Sequence, residues 1–277
     1  MESRTENTGG IIGLQRCEYD SAGRLVRLIA RDKDGVDRVT ESWNYDPMGR
    51  KTRTLYVDVA GQSPNTTYGW AVEGTDAIYS APGAASLTTL YNEREQPAQI
   101  LFQDIAGRML SRVEFVYDEA GRLIEEAQTR AEEALPAELL AQMKPEQLGA
   151  VRALFGVGKP TRRLHRYDLQ GRRCETRSQL PPLGSDRKTT IYNNHGDPIE
   201  EHSESESREY SIDDDGRLSD RPIQETASSS EARFEYDYDA HGNWVKKMVK
   251  GAATGQDFTI ASIEERTLTY YDEVPRS

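Results

Sequence analysis

Residues able to do chemistry are plentiful in this 277-residue chain, yet their spacing points to turn-building rather than to catalysis. The four histidines, His165, His195, His202 and His241, form neither an HxxxH nor an HExxH pair, so no metal site is expected. Asp213, Asp214 and Asp215 ahead of Gly216 resemble part of a calcium loop, but no bidentate Glu follows at EF-hand spacing. A turn with extra acids is the better reading. Cys17 and Cys174 match no metal spacing and read as free thiols. Paired carboxylates abound in an acidic chain and single out no glycosidase site. Neither a nucleophile elbow nor a phosphate loop is present. No cofactor and no enzymatic activity are expected.

One constellation does recur. Tyr19-Asp20-Ser21-Ala22-Gly23-Arg24, Tyr45-Asp46-Pro47-Met48-Gly49-Arg50, Tyr117-Asp118-Glu119-Ala120-Gly121-Arg122 and Tyr167-Asp168-Leu169-Gln170-Gly171-Arg172 share the pattern Tyr-Asp-x-x-Gly-Arg. Weaker copies run from Gln103-Asp104 to Gly107-Arg108, Tyr192-Asn193 to Gly196-Asp197, Ile212-Asp213 to Gly216-Arg217 and Tyr238-Asp239 to Gly242-Asn243. Tyr91-Asn92 has Glu95 where Gly belongs, and Tyr271-Asp272 opens a further copy close to Ser277.

The chemistry available to this pattern is that of a turn. An Asp side chain at the head of a turn accepts backbone N–H groups ahead of it. Two residues follow in right-handed conformation, and Pro47 suits the first because its φ is preset. Gly then takes the positive φ that ends the turn and begins the return strand with a bulge. Tyr closes the incoming strand, its ring packing across the hairpin and its hydroxyl reaching water or a neighbour.

The flanking segments alternate as strands do. Val113, Phe115 and Tyr117 fall on one face, as do Phe234, Tyr236 and Tyr238, and Trp43 with Tyr45. Period-two patterning between turn signals 12 to 26 residues apart predicts a mainly β fold of consecutive antiparallel hairpins, in an open or spiralling sheet. One continuous array is expected over 1–130 and 159–277. A helical hairpin interrupts it at 131–158, where Pro136 and Pro145 can start helices and Gly156 can stop one. Leu139, Leu140 and Met143 make its first apolar face; Leu148, Val151, Leu154 and Phe155 make its second. A cap over the sheet is the expected role. The Gly61 to Gly83 stretch reads as a degenerate hairpin with long loops.

Composition narrows the partners. A net charge of -12 argues against nucleic acid and anionic lipid. No stretch approaches the ~18 apolar residues of a membrane span, and Met1 to Gly10 lacks the apolar core of a signal peptide. With a mean hydropathy of -0.77, the chain suits a thin fold with much surface per residue. Trp70, Tyr79 and Trp244 are candidate exposed aromatics for gripping carbohydrate or protein.

Tandem Tyr-Asp-x-x-Gly-Arg resembles the YD repeat of the Rhs family, shared with teneurins and toxin-complex shell proteins, and the likeness runs from Tyr19 to Tyr271. The resemblance implies hairpins in a spiralling sheet, which in complete members closes into a hollow shell around a toxin polypeptide. It implies a partner that is a toxin domain or neighbouring repeats, and a secreted or cell-surface location. The family's self-cleaving boundary has no counterpart: Asp197-Pro198 is the nearest dipeptide, and Ile199-Glu200 follows it. With nine or ten copies and no toxin domain after the last, the sequence reads as a fragment or a short open member.

Overall fold

The computed structural model describes residues 2–6, 12–31, 34–56, 69–71, 78–81, 83–135, 140–141, 143–211, 213, 219, 221–253 and 255–270. The copy at Ile212 to Arg217, the Tyr271-Asp272 head, Leu139 and Val274 to Ser277 fall wholly or mainly outside them. The chain divides into two compact units, Met1–Thr161 and Arg162–Ser277.

In the first unit the strands are β1 (Glu2–Glu6), β2 (Ile12–Tyr19), β3 (Leu25–Arg31), β4 (Asp37–Tyr45), β5 (Lys51–Tyr56), β6 (Gly69–Ala71), β7 (Ile78–Ser80), β8 (Ser86–Tyr91), β9 (Pro97–Gln103), β10 (Met109–Tyr117) and β11 (Leu123–Arg130). Nine of them lie in the spatial order β1-β2-β3-β4-β5-β8-β9-β10-β11, every neighbour antiparallel. β6 and β7 pair only with each other. The second unit holds β12 (Thr161–Tyr167) but for its first residue, β13 (Arg173–Leu180), β14 (Gly184–Tyr192), β15 (Pro198–Glu209), β16 (Gln224–Tyr238), β17 (Trp244–Ala253) and β18 (Thr259–Glu265), again antiparallel in sequence order. The fold is mainly β, as the alternation predicts.

Antiparallel strands reverse direction at each turn, so successive turns fall at opposite ends of a sheet. Turns 20–24, 46–50, 92–96 and 118–122 therefore share one end of the first unit, and 168–172, 193–197 and 239–243 share one end of the second. The Gln103 to Arg108 copy does not belong to this series. It joins β9 to β10 at the opposite end and carries no Tyr. The natural repeat is thus one Tyr-headed turn per two strands.

Within the Gly61 to Gly83 stretch the described residues form a hairpin, β6–β7, as expected, but its strands pair only with each other, and β5 pairs directly with β8. Tyr79, expected to be exposed, is only 5% accessible, with its ring edge-on to Phe115 at 6.0 Å. Together with Ala81 and Ala84 it completes a core of Ile100, Phe102, Leu110, Val113, Phe115 and Leu123. Val113 and Phe115 share the buried face of β10 while Val116 is exposed, which is the alternation read from the sequence. Tyr79, Ala81 and Ala84 cover this face because the apolar side chains of β9, β10 and β11 must be buried somewhere.

One α-helix, α1 (Pro145–Leu154), and a 3-10 turn at Glu132–Ala134 are described in the interruption. Pro145 starts α1, the Gln147 side-chain oxygen accepts from the Lys144 N–H at 2.9 Å, and Gly156 at φ 66 follows its end. Val151 is buried as the stripe predicts, joined by Ala150, but Phe155 is exposed. The core cluster meets this region through Ala134 of the 3-10 turn.

Candidate functional site

The repeated turns are the most organised polar feature of the molecule. In the first, Asp20 N–H donates to the Arg24 carbonyl at 2.9 Å and Gly23 N–H to the Asp20 carbonyl at 3.0 Å. One carboxylate oxygen, Oδ1 of Asp20, accepts from the N–H groups of Ala22 and Arg24, both at 2.9 Å. The other, Oδ2, accepts from Arg24 Nε at 2.7 Å. Asp46 with Arg50 and Asp168 with Arg172 repeat the set, and Asp118 with Arg122 shares its backbone pairs and both carboxylate bonds to the arginine. Gly23, Gly49, Gly121 and Gly171 sit at φ 77, 84, 79 and 80, the left-handed region their place requires. Asn92 heads the same turn without a charge, and Glu95 there takes φ 64, the sole positive-φ residue other than glycine among those described.

A bulge follows each turn, displaced from where the sequence puts it. Tyr19 pairs with Leu25 and Glu18 with Arg27, so Val26 is the extra residue. Thr52, Ala98, Ile124, Cys174, Ile199 and Val245 are extra in the same place. The bulge strengthens local twist and re-aims the Tyr that opposes it.

The hydroxyl reaches a neighbour, as expected, and that neighbour is the preceding hairpin. The Tyr45 hydroxyl donates to the Leu25 carbonyl at 2.8 Å, the residue just after Arg24 of the preceding turn. Tyr91 donates to Lys51 at 2.8 Å, Tyr117 to Pro97 at 2.9 Å, Tyr192 to Arg173 at 2.7 Å and Tyr236 to Pro198 at 2.9 Å. Every acceptor directly follows the sixth residue of a turn. Each tyrosine is therefore a rung tying one hairpin to the hairpin before it.

The sixth residue has a role the sequence does not announce. Arg24 lies 5.0 Å from the Tyr45 ring centre, Arg50 4.4 Å from Tyr91 and Arg172 4.9 Å from Tyr192. Held by its own Asp, each arginine presents its guanidinium to the ring of the next hairpin, a cation–π contact worth ~0.5–1 kcal/mol at exposed sites. Arg172 Nη1 also reaches the Asn193 carbonyl of the next turn at 2.9 Å, and Gln96, replacing arginine, bonds the Gly121 carbonyl at 2.7 Å.

Like the 92–96 turn, two turns of the second unit lack the Asp–Arg ion pair. The Asn193 amide donates to the Tyr238 hydroxyl, which donates to Asp197 Oδ2, both at 2.7 Å, while His195 stacks on the Tyr238 ring at 4.1 Å. At 239–243, Asn243 donates to Tyr270, Tyr270 to Asp239, and His241 stacks on Tyr270 at 4.0 Å. His195 and His241 are thus ring partners for tyrosines.

Electrostatics follow from these contacts. Asp20 and Asp118 are held below the usual carboxylate range first by the backbone amide of their arginine, then by its side chain. For Asp46, Asp104 and Asp168 desolvation is the largest single influence and opposes the shift, but arginine's amide, guanidinium bonds and charge together lower them. Asp239 is lowered chiefly by the Tyr270 hydroxyl. Burial, then the nearby Asp197 charge, pushes the Tyr236 phenol up to about 12.

The remaining chemical groups are used locally. His165 is buried against Thr176 Oγ1 at 3.2 Å, and His202 lies beside Glu204 and Glu231. Both cysteines are unpaired thiols, Cys174 at a bulge. No group of three or more His, Cys, Asp or Glu suited to a metal ion occurs among the described residues. A shallow depression of about 700 Å³ between Tyr19, Trp43 and the Glu18–Arg27 pair holds no acid–base constellation. Trp244 is covered by Arg266 at 3.7 Å, and the Trp70 side chain lies outside the description. Among the described residues, no helix is long and apolar enough to cross a membrane.

Sheet and turns together define a mainly β protein built of repeated antiparallel hairpins. No family model matches the chain, and no curated protein matches it. Among solved structures it is similar to a porin-like protein from Bacteroides uniformis, at 14% identity over 82% of this chain and 92% of that one. The TM-score is 0.22, too low for the likeness to carry an argument.

Proposed function

We propose that the chain is a non-catalytic structural repeat protein of Rhs-like type, part of a β-shell or surface scaffold that encloses or presents a polypeptide. The observation that supports this is the tyrosine rung. The polar groups most regularly placed, Asp, Arg and Tyr of each turn, are spent on closing turns and tying hairpins together, which leaves them unsuited to turnover. The partner on this reading is a toxin-like domain or neighbouring repeats, and the location secreted or cell surface. Adhesion through exposed aromatics is weaker as a reading, since Tyr79 is buried and Trp244 is covered.

The test is direct. A reduced, carboxymethylated, fluorescein-labelled polypeptide is titrated with the protein, alongside a panel of oligosaccharides followed by tryptophan fluorescence. Scaffold function predicts a rise in anisotropy and slower proteolysis of the labelled polypeptide. Saccharide binding without polypeptide retention contradicts it in favour of adhesion.

A further inference from the structure

Charge is unevenly shared along this acidic chain. Between Lys159 and Lys188 nine Lys and Arg stand against three Asp and Glu, although the chain as a whole carries a net charge of -12. That basic stretch contains β12, β13 and β14, neighbouring strands of the second unit.

Strand register gathers part of this charge on one face. Arg166 of β12 lies opposite Glu175 of β13, and Arg177, two residues further along β13, lies opposite Arg187 of β14. All three guanidiniums turn to the Glu175 carboxylate: Arg187 Nε at 3.2 Å, Arg177 Nη2 at 3.5 Å and Arg166 Nη1 at 3.8 Å. The Glu175 side chain is only 11% exposed, whereas those of Arg166, Arg177 and Arg187 are 78%, 47% and 41% exposed. The acid is covered, and the arginines around it face water.

The charges in this cluster do not balance. Three cations surround one carboxylate, and the further acid that meets them, Glu204 of β15, lies 3.6 Å from Arg187 and is shared with His202. Arg177 has Leu164 opposite it on one side and Arg187 on the other, and like charges directly opposite each other destabilise a sheet. Strands ~4.8 Å apart bring the Arg177 and Arg187 forks within reach of a single group held between them. Planar guanidinium forks suit the paired oxygens of sulfate and phosphate. A dianion there would neutralise the excess and relieve the opposed arginines.

We propose that Arg166, Arg177 and Arg187, seated around Glu175, form a binding site for a doubly charged tetrahedral oxyanion, sulfate or phosphate. The proposal goes beyond the scaffold reading and does not rest on it. The experiment is isothermal titration calorimetry with sodium sulfate, sodium phosphate and phenyl phosphate, each against sodium chloride at equal ionic strength. It is run on the parent, on Arg177→Gln/Arg187→Gln, on Glu175→Gln, and on Arg53→Gln as a control that removes an exposed arginine from β5. Saturable binding of sulfate and phosphate is expected for the parent and the control. Losing two guanidiniums weakens it at least about tenfold. Glu175→Gln removes the competing carboxylate and tightens it, a change that a purely structural ion-pair cluster does not predict. Circular dichroism and melting point establish that each variant is folded. Phenyl phosphate bound as phosphate is bound means that a larger molecule can present the group; its refusal assigns the site to the free ion. No binding beyond that of chloride, an arginine variant that binds like the parent, or weaker binding by folded Glu175→Gln overturns the proposal.

Discussion

The hydroxyl of Tyr238 donates to Oδ2 of Asp197 at 2.7 Å, across 41 residues of sequence. Asp197 stands where most turns carry arginine, and Asn193 stands where they carry Asp. In the 239–243 turn the acid and the amide have changed places, yet Tyr270 bridges Asn243 and Asp239 in the same way. One amide and one acid are needed, in either order, because a hydroxyl accepts one bond and donates another.

Exchange is therefore the informative perturbation. Asn193→Asp alone sets two carboxylates on one hydroxyl and lowers the melting temperature. The double change Asn193→Asp/Asp197→Asn copies the 239–243 turn and recovers most of that loss. A double-mutant cycle should give a favourable coupling of ~1 kcal/mol; simple additivity would sink the bridge.

Backbone conformation supplies a paired prediction. Gly121 sits at φ 79, and a Cβ there meets only the flexible Gln96 Nε2 at 3.4 Å. Gly121→Val should then cost about 1–2 kcal/mol through strain rather than collision. Glu95→Gly relieves the same strain against a smaller entropic cost, and should stabilise by up to ~1 kcal/mol. Chemical denaturation of both variants checks the opposite signs.

Much of this was legible in the residues. Tyr, Asp and Gly spacing gave the turns and the positive φ, because both are local. The arginine's ring partner was not legible: Arg24 and Tyr45 meet only because the register of β3 on β4 returns the end of β4 to the 20–24 turn. Nor was the cover of the first unit's core, since Tyr79, Ala81 and Ala84 come from a segment without strand periodicity. Gln103 to Arg108 imitates the motif locally while strand direction sends it to the other end.

Acid should weaken the turns. The carboxyls of Asp20, Asp46, Asp118, Asp168 and Asp239 titrate lower when folded than when unfolded. Their contribution is present above the unfolded carboxylate range near ~4 and is lost as pH falls below it. Melting temperature should hold steady above about pH 5 and drop steeply below about pH 4; a transition that is flat down to pH 2 contradicts these contacts.

Alkali acts through the rungs in the opposite sense. Tyr236 has its phenol raised to about 12 by burial and then by Asp197, and Tyr117, Tyr192 and Tyr238 are raised too. Stability that depends on the neutral phenol is complete below the unfolded value near ~10 and disappears as pH rises through the folded one. Ultraviolet titration should show a class of tyrosines ionising together with unfolding, well above the exposed ones.

The central claim is that tyrosine hydroxyls tie each hairpin to the one before it. Its most direct test is the melting of Tyr45→Phe, Tyr91→Phe and Tyr117→Phe, singly and combined, because each change removes one hydroxyl and leaves the ring in place. Every single change should cost about 0.5–1.5 kcal/mol, the loss of a hydrogen bond to a carbonyl, and the three should sum. A triple variant as stable as the parent would show that the rungs do not hold the array together.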